Sequence, residues 1–133
     1  MKILIIQSDT NERMLLMTPL IRSLKIELDT IVHLAINQSS MELFHGNPYV
    51  DMLHRYDQSP GPLRRKLRLE SFDMIIDLKN NFRSKIIRTR IGAKTIAFKR
   101  NQLKFDRYKR KAHLFFKKKN SVGGKAFQTD ETS

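Results

Sequence analysis

The chain is 133 residues long, the size of one ordinary domain, with 40% hydrophobic residues and a formal net charge of +13. It has no cysteine, which excludes disulfides, thiolate metal sites and a cysteine nucleophile and suits a reducing cytoplasm. The charge is one-sided: residues 1–60 hold five Lys/Arg against seven Asp/Glu, residues 61–133 twenty-one against six, so an anionic partner is expected to meet the second half.

Lys2–Gln7 is a near-continuous apolar run, the pattern of a strand covered on both faces. It is too short for the hydrophobic region of a secretory signal. No segment approaches the ~20 apolar residues that cross a bilayer, so a soluble or peripheral cytoplasmic protein is expected. The turn that follows, Ser8-Asp9-Thr10-Asn11-Glu12-Arg13, has no glycine. A dinucleotide turn needs glycines to bring backbone amides up to pyrophosphate, so a nicotinamide or flavin site is not expected here, and no cofactor is assigned. Asp9, Thr10 or Asn11 fits as a helix cap.

Met14, Met17, Ile21, Leu24 and Leu28 recur at three- and four-residue steps and form one apolar stripe, with a kink or delayed start at Pro19. Thr30–Ile36 reads as a second strand. A short helix over Ser39–His45 ends at Gly46, and Asn47-Pro48 turns the chain into a third strand, Asp51–Tyr56. Leu63–Ser71 reads as a basic helix, and Arg64, Arg65, Lys66 and Arg68 cluster around it. Phe72–Leu78 is the most apolar strand. It runs into the polar turn Lys79-Asn80-Asn81 and then a helix whose buried side is read as Phe82, Ile86, Ile87 and Ile91, stopped by Gly92. Thr95–Phe98 is the last strand.

Strands alternating with helices require crossover connections and a mainly parallel sheet, so the fold class is α/β, a Rossmann-like three-layer sandwich. The domain is read as residues 1–119. It includes a basic helix at 101–119, where Phe105, Tyr108, Ala112 and Phe115 keep helical spacing among lysines and arginines. That helix suits an anionic membrane surface, a nucleic-acid phosphate backbone, or simple packing on the domain. Residues 120–133, glycine-bearing, polar and aperiodic, read as a disordered tail. His33, His45, His54 and His113 show no metal-ligand spacing, and no metal is assigned.

The strand–turn–helix FDMIIDLKNNFRS at Phe72–Ser84 holds the strongest functional signal. It sets Asn80, Asn81, Arg83 and Ser84 at the carboxyl end of a strand, where ligands of open α/β sheets collect. Together with MKILIIQ at the start and GNPYVD at 46–51, it resembles the bacterial heptosyltransferases, the ADP-heptose:lipopolysaccharide enzymes of glycosyltransferase family 9. The resemblance spans roughly residues 1–110, the N-terminal acceptor domain, and implies one half of a GT-B fold.

By that resemblance, Asn80, Asn81, Arg83 and Ser84 bind an acceptor sugar or its phosphate, and Arg64 and Arg65 contact acidic core sugars. The family's Gly-Asp, whose aspartate is the catalytic base, falls on Glu12 and Arg13 when counted back from Thr18-Pro19. A guanidinium cannot accept a proton at neutral pH, so this position is expected to be non-functional. The reading is a truncated or degenerate acceptor domain, inactive alone, that needs a separate donor-binding domain. It would sit by the lipopolysaccharide acceptor at the inner face of the inner membrane. Alternative readings are a small basic nucleic-acid-binding module, which no RRM, KH, zinc-finger or helix-turn-helix pattern supports, and a peripheral membrane scaffold.

Overall fold

The computed structural model describes residues 1–97. Phe98, the basic segment at 101–119, the domain limit at 119 and the tail 120–133 lie outside the described residues. Five strands, β1 (Lys2–Ile6), β2 (Ile31–Ile36), β3 (Met52–Arg55), β4 (Met74–Asp77) and β5 (Lys94–Ala97), form one sheet in the order β3-β2-β1-β4-β5. Every pairing is parallel. This is the strand order of the doubly wound Rossmann architecture.

Burial follows from that order. β1 lies in the middle, and Ile3, Leu4, Ile5 and Ile6 are all fully buried, which explains a run without polar alternation. Ile3 and Ile5 face one core with Val32, Leu34, Ile36, Met74 and Ile76. Leu4 and Ile6 face the other with Ala35 and Ile75. Helices α1 (Asn11–Leu15), α2 (Thr18–Leu28) and α3 (Met41–Phe44) cover the first face; α4 (Pro60–Arg68) and α5 (Phe82–Arg88) cover the second.

Pro19 gives the delayed start: α1 closes at Leu15, and Pro19 lies in the first turn of α2, where its missing N–H costs no helical bond. Met14, Met17, Leu20, Ile21, Leu24 and Leu28 are buried below it. A 3₁₀ turn at Gln38–Ser40 leads into α3, and Gly46 turns the chain at φ 82°.

Two helices differ from the sequence reading. α4 starts at Pro60 rather than Leu63, because Pro60-Gly61-Pro62 fills a first turn whose amides have no helical acceptor in any case. α5 buries Ser84 and Ile87, with Ile91 buried in the turn beyond it, but leaves Phe82 80% exposed and Ile86 only partly covered. The cap at Asn81 fixes the helix phase, so the serine and not the phenylalanine turns inward. α5 also ends earlier, at Arg88 with Thr89 as its extended C-cap, and Arg90 (φ 64°) and Gly92 (φ 84°) both lie in the turn into β5.

Candidate ligand crevice at the strand switch point

β1 pairs with β2 on one side and with β4 on the other, so the winding reverses between β1 and β4. Loops leaving adjacent strands at such a reversal diverge to opposite faces and open a crevice at the carboxyl edge. Ile6 and Asp77 are register partners at that edge. The crevice is therefore walled by Gln7–Thr10 on one side and by Leu78–Asn81 on the other.

The second wall is built from Asp77, whose side chain is fully buried. Its Oδ1 accepts the backbone N–H of Lys79 (3.1 Å) and of Asn80 (2.7 Å), which folds the turn tightly and holds Asn80 at φ 44°. Its Oδ2 lies 3.1 Å from Nη1 of Arg88, but neither atom has a well-aligned hydrogen bond, so this ion pair is held by charge more than by direction.

Asn81 caps α5. Its Oδ1 accepts the Ser84 N–H (2.9 Å), and the Ser84 hydroxyl accepts the Asn81 N–H (2.9 Å) in a reciprocal box. Asn81 Oδ1 also accepts the Tyr56 hydroxyl at 2.9 Å, which ties the end of β3 to this turn. Burial raises the Tyr56 phenol above its ordinary pKa, so it remains the donor.

The groups named from sequence fall into three sets. Asn80, Asn81 and Ser84 come together in the β4–α5 turn, with Ser84 wholly buried inside the cap. Arg83 is exposed, donates from Nη1 to the Gln58 carbonyl (2.7 Å) and lies over the Tyr56 ring at 5.9 Å, so it braces the β3–α4 loop. Arg64 is partly covered and Arg65 exposed on α4, and neither has a hydrogen bond or ion pair to the turn among the described residues.

Glu12 and Arg13 stand on the opposite face of the sheet, in α1. Thr10 caps this helix through the Arg13 N–H (3.4 Å). Arg13 Nη1 reaches back to Asp9 Oδ2 at 3.6 Å, so the carboxylate of the first wall is Asp9, paired with the guanidinium beside it.

Sequence reasoning missed Lys79 as more than a spacer. Its Nζ donates to the Ser8 carbonyl at 2.8 Å and spans the crevice between the two walls. An ammonium has three protons, so the same group can serve an anion at the mouth. The order of β1 and β4 in the sheet would have revealed this, and that order is not written in local periodicity.

No family model matches this chain, and no curated protein matches it. Its architecture is that of an open, parallel, doubly wound α/β domain. Among solved structures, it is similar to the glycosyl transferase family 9 protein from Veillonella parvula DSM 2008, with a TM-score of 0.62 and 20% sequence identity. The likeness covers 72% of this chain and 32% of that chain, so this chain spans about a third of its length. At that identity, the two share a fold.

Proposed function

We propose that residues 1–97 are the acceptor-side lobe of a family 9-like glycosyltransferase, with the sugar acceptor bound in the crevice between β1 and β4. One observation carries the reading: the fold is similar to that of a solved family 9 protein, at a TM-score of 0.62, and the switch point of its sheet is lined by Ser8, Lys79, Asn80 and Asn81. Lys79 offers charge to an anionic sugar or phosphate group, while the asparagine amides offer hydroxyl partners.

On this reading the domain binds and does not by itself transfer. Proton removal from an acceptor hydroxyl needs a free carboxylate or imidazole within hydrogen-bond reach. Position 13 holds a guanidinium, and Asp9 is engaged by it. Closure around two substrates also needs a second lobe for the nucleotide sugar. The intact reaction would be transfer of a heptose or related sugar from an ADP-sugar to a lipopolysaccharide core hydroxyl, at the inner face of the inner membrane. Among the described residues no helix is long and apolar enough to cross a membrane.

Mixing the chain with a family 9 donor lobe, ADP-heptose and a core oligosaccharide tests this. The expected result is no turnover for the native chain and measurable turnover for the Glu12→Gly/Arg13→Asp variant. Oligosaccharide binding absent from both proteins would overturn the reading.

A further inference from the structure

The layer formed by α4 and α5 has an outer surface that the crevice does not use. At 3.6 residues per turn, the buried pair Leu63 and Leu67 puts Arg65, Arg68 and Leu69 on the opposite side of α4. The buried Ser84 and Ile87 likewise turn Phe82 and Lys85 outward on α5. The two helices share one core cluster against the same face of the sheet, so these outward residues lie on one surface.

Among the described residues, this surface has cations without counterions. The acids between residues 58 and 97 are Glu70, Asp73 and Asp77. Glu70 pairs with Lys2, Asp77 with Arg88, and Asp73 Oδ2 accepts the Lys2 backbone N–H. Among the described residues, Arg65, Arg68 and Lys85 enter no ion pair. The same surface also holds the two most exposed large apolar side chains described, Leu69 at 85% and Phe82 at 80%. They stand at opposite ends of the layer, since Leu69 follows the last turn of α4 and Phe82 opens α5.

We infer that the α4/α5 surface docks on an anionic lipid bilayer, with Arg65, Arg68 and Lys85 at the headgroup phosphates and Leu69 and Phe82 inserted at the acyl boundary. Lipid phosphates supply the missing counterions, and the apolar boundary removes exposed side chains from water. A nucleic acid would satisfy the cations equally but gives an aliphatic leucine nothing to gain, because its contacts to the backbone are polar and its stacking partners aromatic.

Flotation of the full chain with phosphatidylglycerol/phosphatidylcholine vesicles, against phosphatidylcholine alone and against random-sequence RNA in a gel shift, tests the inference. Two variants, Arg65→Gln/Arg68→Gln/Lys85→Gln and Leu69→Gln/Phe82→Gln, are checked for folding by circular dichroism. Since each juxtamembrane cation contributes about fivefold to binding, the first variant, which removes three, should weaken vesicle association about a hundredfold. The second should lose the association that persists at high salt. Native-like vesicle binding by both folded variants would overturn the inference, as would binding to RNA without binding to vesicles.

Discussion

His33 and His54 sit on neighbouring strands beneath α4, both nearly fully buried, with Nδ1 of His33 2.9 Å from Nε2 of His54. Only one proton fits between those nitrogens, so one ring must accept and stay neutral. The rings stack, the edge of Phe72 closes one side, and Nδ1 of His54 is left without a partner. Burial lowers the pKa of both; for His54 it falls to about 4, with the charges of His33 and Lys66 adding to the effect. A histidine depressed in the fold binds fewer protons there than in the unfolded chain below pH ~6.5, so its stabilisation is full above that pH and is lost toward the folded value. Urea unfolding should therefore show stability dropping as pH falls from about 6.5 toward 4, by up to about 1.4 kcal/mol per pH unit from His54, with His33 adding to the loss in the same direction. His54→Phe should flatten that slope, and a native slope near zero would contradict the description of the pair. Asp77 offers a second residue-scale test. Asp77→Ala removes the acceptor of two amides and strands Arg88, which should cost about 2–4 kcal/mol in chemical denaturation, while Asp77→Asn, which keeps an acceptor for the turn, should cost less. Neither feature was legible in the sequence: the histidines are 21 positions apart, and only the register of β2 against β3 brings them together.

At the scale of elements, β1, β2 and β4 follow from their apolar runs, because a parallel strand buried on both faces has no solvent face to blur its pattern, while the partly exposed edge strands β3 and β5 follow from the turn signals before them. Helix ends were less legible. α4 begins in a Pro-Gly-Pro sequence that reads as a loop, and α5 is phased by its cap rather than by its hydrophobic residues, which is why Phe82 was misread as core. Both Asn80 and Asn81 are residue types that cap helices; the structure gives the cap to Asn81 and the left-handed turn position to Asn80. Asn81→Ala should lower stability by about 1–2 kcal/mol, read by thermal denaturation, because it removes the acceptor for both the Ser84 amide and the Tyr56 hydroxyl. Tyr56→Phe removes only the second bond, and a loss as large as that of the Asn81 variant would contradict this division. The Tyr56 bond joins the loops after β3 and β4, so both variants should also loosen the Arg83 brace on Gln58.

At the scale of the molecule, sequence alternation of strand and helix led to the parallel sheet, but the position of the crevice depends on which strands become neighbours. Once β4 lies beside β1, two loops far apart in sequence face each other, and Lys79 can reach the Ser8 carbonyl 71 positions away. Glu12 and Arg13, placed by counting along the chain, lie on α1, on the face of the sheet opposite α5, with Arg13 turned back to Asp9. The molecule thus presents two separable surfaces: a polar crevice at the carboxyl edge and a basic outer layer on α4 and α5. Lys79→Ala should weaken binding of a phosphorylated sugar about tenfold or more, the usual worth of a charge-assisted contact, with little effect on vesicle flotation. Whether the crevice between β1 and β4 receives a sugar acceptor is read by titrating the full chain with phosphorylated core oligosaccharide, followed residue by residue through the backbone amide resonances. Acceptor binding in the crevice should give saturable shifts at Ser8, Lys79, Asn80 and Asn81; shifts confined to the amino edge of the sheet, around Thr30 and Phe72, or no shifts at all, would contradict it.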